Sequence, residues 1–94
     1  MSLPGVLGLR DELARFANVC ERVLRSNDHK HGWWNRTVGH LLRRLGQERA
    51  ELARAIRRGA SPAEVESEAV DVANFAMMIA ENYRRAWRDK RDRP

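Results

Sequence analysis

Arg57-Arg58-Gly59-Ala60-Ser61-Pro62-Ala63-Glu64 is the stretch whose reading decides the fold. Gly59 suits the left-handed position that commonly closes a helix. Ser61 can cap the next helix, Pro62 occupies its first position, where a missing N–H costs nothing, and Glu64 completes a Ser-x-x-Glu capping box. One helix therefore stops and another starts within a few residues. So short a link predicts an antiparallel helical hairpin.

Upstream of the turn, a helix is expected from near Asn35 or Thr37 to just before Gly59. Val38, Leu41, Leu42, Leu45, Leu52 and Ile56 form its apolar stripe. Downstream, a helix is expected from Pro62 to about Trp87. Between Val65 and Tyr83 it is apolar almost all round, because Val70, Ala73 and Met77 cover a flank well away from Val65, Val72, Ala76 and Ile79. A helix covered like that is buried on more than one side. In a chain of 94 residues the additional cover points to another copy, so the expected state is a homodimer or homotetramer with this helix at the interface. Met77 and Met78 then serve as core or interface filler.

An earlier helix is expected from about Leu9 to Arg25, with Leu13, Phe16, Ala17, Cys20, Val23 and Leu24 on one face. Cys20 reads there as a buried small hydrophobe. Ser26 to Asn35 breaks the pattern with an unusual concentration of polar and aromatic side chains, and loops placed by rigid helices are where binding groups tend to sit. There is no repeat, low-complexity tract or strand-like alternation. The expected fold is all-α, a single domain over residues 1–94, built as a small helical bundle around the hairpin and completed by oligomerisation.

The single cysteine excludes an intramolecular disulfide framework and suits a reducing interior. No apolar run approaches the roughly 18 residues of a membrane span, and no signal-peptide pattern precedes the first helix. A soluble cytoplasmic protein is expected, with no membrane partner. The net charge of +5 raises nucleic-acid binding as a role. Much of the excess, however, lies in a basic tail where Arg84, Arg85, Arg88, Lys90, Arg91 and Arg93 outnumber Asp89 and Asp92. Late positive charge also suits the C-terminal end of a helix dipole.

The hairpin carries the chemistry. Glu48 and Glu51 share one flank of the second helix, and Glu68 and Asp71 share one flank of the third. The first pair precedes the turn by about eight to eleven residues and the second follows it by about six to nine, so at ~1.5 Å per residue they stand at similar height. Four acids are expected to converge. Such a cluster repels itself unless neutralised, and its hard oxygens select Mg²⁺ or, as the alternative, Mn²⁺. Magnesium commonly bridges to phosphates, which predicts a phosphate-bearing ligand. By pattern alone the same acids also fit solvated helix faces paired with Arg44, Arg54 or Arg57.

Gln47-Glu48-Arg49-Ala50-Glu51, followed after sixteen residues by Glu68-Ala69-Val70-Asp71, resembles the Glu-Glu-x-x-Glu and Glu-x-x-Asp signature of the MazG-type all-α nucleoside triphosphate pyrophosphohydrolases. Val72-Ala73-Asn74-Phe75-Ala76-Met77-Met78-Ile79-Ala80 is similar to small stand-alone members, as is Asn27-Asp28-His29-Lys30 with a tryptophan shortly after. The resemblance covers about Phe16 to Tyr83. Gln47 departs from it, standing where the family has its first glutamate. The resemblance implies that Glu48, Glu51, Glu68 and Asp71 bind Mg²⁺. It also implies hydrolysis of a nucleotide between the α and β phosphates to the monophosphate and pyrophosphate, as in house-cleaning of nucleotide pools. A carboxylate not committed to metal, Glu48 or Glu51, would accept the water's proton.

Around these acids, Lys30 is a flexible point charge able to reach a β or γ phosphate, or else ordinary loop surface. Trp33 and Trp34 could each stack on a base; the resemblance implies that role for Trp33, which better matches the family's loop tryptophan, and Trp34 is expected to pack as a core lid. His29 and His31 are expected to face solvent or hydrogen-bond, since Mg²⁺ prefers oxygen. Asn74 and Asn82 lie near the Glu68 and Asp71 flank, where either could contact sugar or base or satisfy a buried interface. The alternative function is a non-catalytic basic helical module that binds nucleic acid or a partner protein.

Overall fold

The computed structural model describes residues 8–28 and 32–93. Lys30, His29 and His31 lie outside the described residues. Three α-helices account for most of the rest: α1 (Asp11–Ser26), α2 (Val38–Arg57) and α3 (Pro62–Arg91), and no strand occurs among the described residues. The all-helical class expected from the periodicity is what forms. No helix among the described residues is long and apolar enough to cross a membrane.

The turn between α2 and α3 closes as its residues demand. Gly59 sits at φ +69°, a left-handed conformation that costs a side-chain-bearing residue strain but glycine nothing. Its N–H donates to the Ile56 carbonyl at 3.1 Å and the Ala60 N–H to that of Ala55 at 3.0 Å, the paired bonds of a Schellman motif. Ser61 then caps α3 by accepting from the Glu64 N–H at 3.2 Å. The return half of the capping box is replaced: the Glu64 carboxylate takes an ion pair from Arg58 at 3.0 Å and the Ser61 hydroxyl at 3.4 Å. The Arg58 guanidinium beside it holds the Glu64 carboxyl below its ordinary range. Thr37 caps α2, accepting from the His40 N–H at 3.0 Å.

α3 is the central element. Both α2 and α1 pack on it, and they do not pack on each other. Leu41, Ala55 and Val70 are the fully buried apolar side chains, and three polar ones, Glu48, Asn74 and Asn82, are buried beside them. α1 buries no residue completely. Cys20, expected to be buried, is half-buried, because α1 rests against one helix instead of two. That partial burial still raises its thiol pKa. The dock is made by Asn74, whose Nδ2 donates to the Cys20 carbonyl at 3.3 Å, and by an exposed pair of Arg15 and Glu66 at 3.7 Å. The far side of α3 is open, with Met77 38%, Tyr83 59% and Trp87 58% exposed.

Candidate metal centre

Glu48 comes from the middle of α2, where its seven-residue spacing from Leu41 and Ala55 puts all three on the line facing α3. The result is a carboxylate only 7% exposed. Opposite it, Glu68 and Asp71 lie three apart on α3, so both reach across the hairpin toward Glu48. One oxygen from each of Glu48, Glu68 and Asp71 lies within 4.8 Å of the others. The spacing on the two arms thus brings three of the four expected acids together. Glu51 stands beside the trio without lying within 4.8 Å of all three; it acts on Glu48 through its charge and a side-chain hydrogen bond, and on Asp71 through its charge.

Burial and then the charges of Glu51 and Asp71 push the Glu48 carboxyl above the ordinary glutamate range, with Arg44 opposing. Burial does the same to Asp71, helped by Glu51 and opposed by a hydrogen bond from Glu48 and the Arg44 charge. Both groups resist ionisation chiefly because they are buried, and the part-exposed Arg44 only partly offsets that. A divalent cation would offset the rest. The donor set is all carboxylate, with no nitrogen or sulfur, which fits a hard ion such as Mg²⁺ or Mn²⁺.

Two of the three, Glu48 and Asp71, open onto a cleft of about 410 Å³ between the end of α1, the segment before α2, and the facing sides of α2 and α3, while Glu68 is not among its lining residues. Glu48 and Asp71 form part of its lining, and Trp33, Arg36, His40 and Phe75 form another part. Trp33 lies on the cleft wall, with the Arg85 guanidinium 5.5 Å from its ring centre. Asn74 also reaches the lining, although its Nδ2 is engaged with Cys20. Asn82 is not among the lining residues. Its Nδ2 donates to the carbonyls of Trp33 and Arg36, both at 3.0 Å, fastening the segment before α2 onto α3. Of the two readings open for it, the buried interface is the one its geometry matches.

Trp34 departs from expectation. It is 60% exposed, because consecutive residues of a tight segment cannot both point inward and Trp33 takes the inner place. Its indole meets Trp33 edge-on at 6.1 Å and lies over Gly32, where a Cβ would come within 2.3 Å of the ring. A side chain there would require the exposed Trp34 ring to move. Arg36 and His40 line the cleft without having been singled out in the sequence, and Arg44, expected there only as one of three arginines able to pair with the acids, lines it too. For Arg44 and His40 the available signal was position, since they precede Glu48 on α2 by one and two turns.

Comparison of the chain with protein-family models, with curated proteins and with solved structures finds no match in any of the three.

Proposed function

We propose that the protein is a Mg²⁺-dependent nucleotide pyrophosphohydrolase that cleaves a ribo- or deoxyribonucleoside triphosphate to its monophosphate and pyrophosphate. The observation that carries the reading is the carboxylate trio, with oxygens of Glu48, Glu68 and Asp71 within 4.8 Å of one another, two of which, Glu48 and Asp71, line a cleft together with arginine and aromatic side chains. The resemblance of the acidic motifs to the MazG-type enzymes supports it.

Glu48, Glu68 and Asp71 would hold the ion. When bound, Mg²⁺ would neutralise charge on the phosphates and lower the pKa of a water. Glu51, beside the trio and not committed to it, is the carboxylate left to accept that water's proton. Trp33 on the opposite wall offers a face to the base, and the apolar side chains of Leu41 and Met78 exclude bulk water around it. The same reading assigns the open apolar side of α3 to a second copy of the chain, in a homodimer or homotetramer.

Incubation with a panel of ribo- and deoxyribonucleoside triphosphates in Mg²⁺ should release monophosphate and pyrophosphate in equal amounts. Release of orthophosphate and diphosphate would place the cleavage elsewhere. No turnover of any nucleotide, together with salt-sensitive binding of DNA or RNA, would favour a non-catalytic role for the basic end of α3.

A further inference from the structure

Arg44 is the one cleft-lining cation, among the described residues, in ionic contact with the carboxylate trio. It lies one turn before Glu48 on α2, and its Nη2 stands 3.5 Å from Glu48 Oε2. That distance is the outer limit of a hydrogen bond, so the contact is loose. The guanidinium also sits over the Phe75 ring, 5.1 Å from its centre, close enough for a cation–π attraction. Its side chain keeps 44% exposure while that of Glu48 keeps 9%. A buried carboxylate is thus attended by a half-exposed, movable cation.

Helix stability does not explain the pair. Arg before Glu at a four-residue step is the less favourable order relative to the helix dipole, and such pairs are worth only a few tenths of a kcal/mol. A divalent ion on Glu48 would moreover repel the guanidinium from its present place. Arg36, the other arginine on the cleft wall, makes no ionic contact with the trio. Displaced from Glu48, Arg44 would remain within the cleft, with a planar donor fork matched to phosphate oxygens.

We propose that Arg44 is the phosphate-binding arginine of this cleft: it stands in as counter-charge to Glu48 in the metal-free protein, and transfers to the substrate's polyphosphate when the metal takes its place. The inference rests on the metal-dependent reading above. It makes two predictions of opposite sign. Removing the charge relieves competition for the metal and removes a ligand for the phosphate.

Calorimetric titration of the whole chain with Mn²⁺ alone, then with inorganic pyrophosphate at saturating Mn²⁺, tests it on wild type, Arg44→Gln and Arg44→Lys. Arg44→Gln should bind Mn²⁺ about twofold to fivefold tighter, the scale of a part-exposed ion pair. It should bind pyrophosphate at least about tenfold more weakly, the scale of a charge-assisted hydrogen bond. Arg44→Lys should bind Mn²⁺ as wild type does and recover part of the pyrophosphate affinity. If Arg44 merely held Glu48 in position, Arg44→Gln would weaken Mn²⁺ binding, and that result overturns the proposal. Unchanged pyrophosphate affinity also overturns it while leaving the metal centre standing. Failure of the wild type to take up Mn²⁺ removes both.

Discussion

The two sides of α3 invert the usual partition of a soluble helix. The side turned to α1 and α2 buries Asn74 and Asn82 around Val70 and presents Glu68 and Asp71 to Glu48. The other side leaves Met77, Tyr83 and Trp87 exposed, with Ala80 among them in a shallow recess. Polar groups turned inward cost free energy unless they are paired or used, and contiguous apolar groups turned outward mark a contact surface. Each side therefore has its own explanation. On the proposed reading the inner acids would take a cation and the outer apolar side chains a second copy.

The sharpest way to break the comparison is to remove charge from the inner side. Glu68→Gln and Asp71→Asn should each lower kcat by about a thousandfold, some 4 kcal/mol in the barrier. The metal-free fold should be as stable as before or more so, since a repelling charge has gone. Steady-state kinetics with denaturant titration reads both, and an unchanged rate would remove these acids from the site.

Polar charge on the outer side tests its counterpart. Tyr83→Asp combined with Trp87→Asp should weaken self-association by about a hundredfold, because a carboxylate buried at an interface must be desolvated. Sedimentation velocity should then find a monomer where the wild type is a dimer or tetramer. A wild type that is already monomeric would end that assignment.

Asn74 joins the two readings of the inner side, since it both lines the cleft and docks α1. Asn74→Ala should cost about 1 kcal/mol, the net worth of one lost hydrogen bond, since the Cys20 carbonyl keeps its partner within α1. Hydrogen exchange should lose protection in α1 while the α2–α3 hairpin keeps it.

The smallest effect is on pH dependence. Glu48 and Asp71 both have carboxyls raised above their ordinary range in the folded chain. The native state therefore holds these protons more tightly than the unfolded one, and their contribution favours folding at low pH. It is lost as pH rises from the ordinary carboxylate range through the raised values. In chelator, thermal stability should fall across that window, and Mg²⁺ should lessen the fall by stabilising the ionised carboxylates. A stability that rises there in chelator would contradict the assigned sign.

The hairpin was legible because its signals are local. Gly59, Ser61 and Pro62 each demand a particular backbone state, and together they admit one connection. Helical spacing then placed Glu48, Glu68 and Asp71 on facing flanks. It could not place Glu51 just outside the trio, because angle around a helix does not specify how a long side chain extends. Nor could it separate Trp33 from Trp34, where the segment's path decides which ring turns inward. Arg44 was legible only as one of three arginines able to pair with the acids, and its contact with a buried carboxylate and Phe75 sets it apart from Arg54 and Arg57. The all-round apolar character of α3 was legible, but of the flank assigned to outside cover Val70 is buried within the chain itself while Met77 is 38% exposed.

The central claim is that Glu48, Glu68 and Asp71 form a metal centre facing a triphosphate. Anomalous diffraction from crystals grown with Mn²⁺ and a nonhydrolysable nucleoside triphosphate tests it most directly. The account predicts a manganese peak about 2.0–2.2 Å from carboxylate oxygens of all three residues, bridging to phosphate oxygens. A nucleotide bound away from the trio, with no peak between these carboxylates, would contradict it.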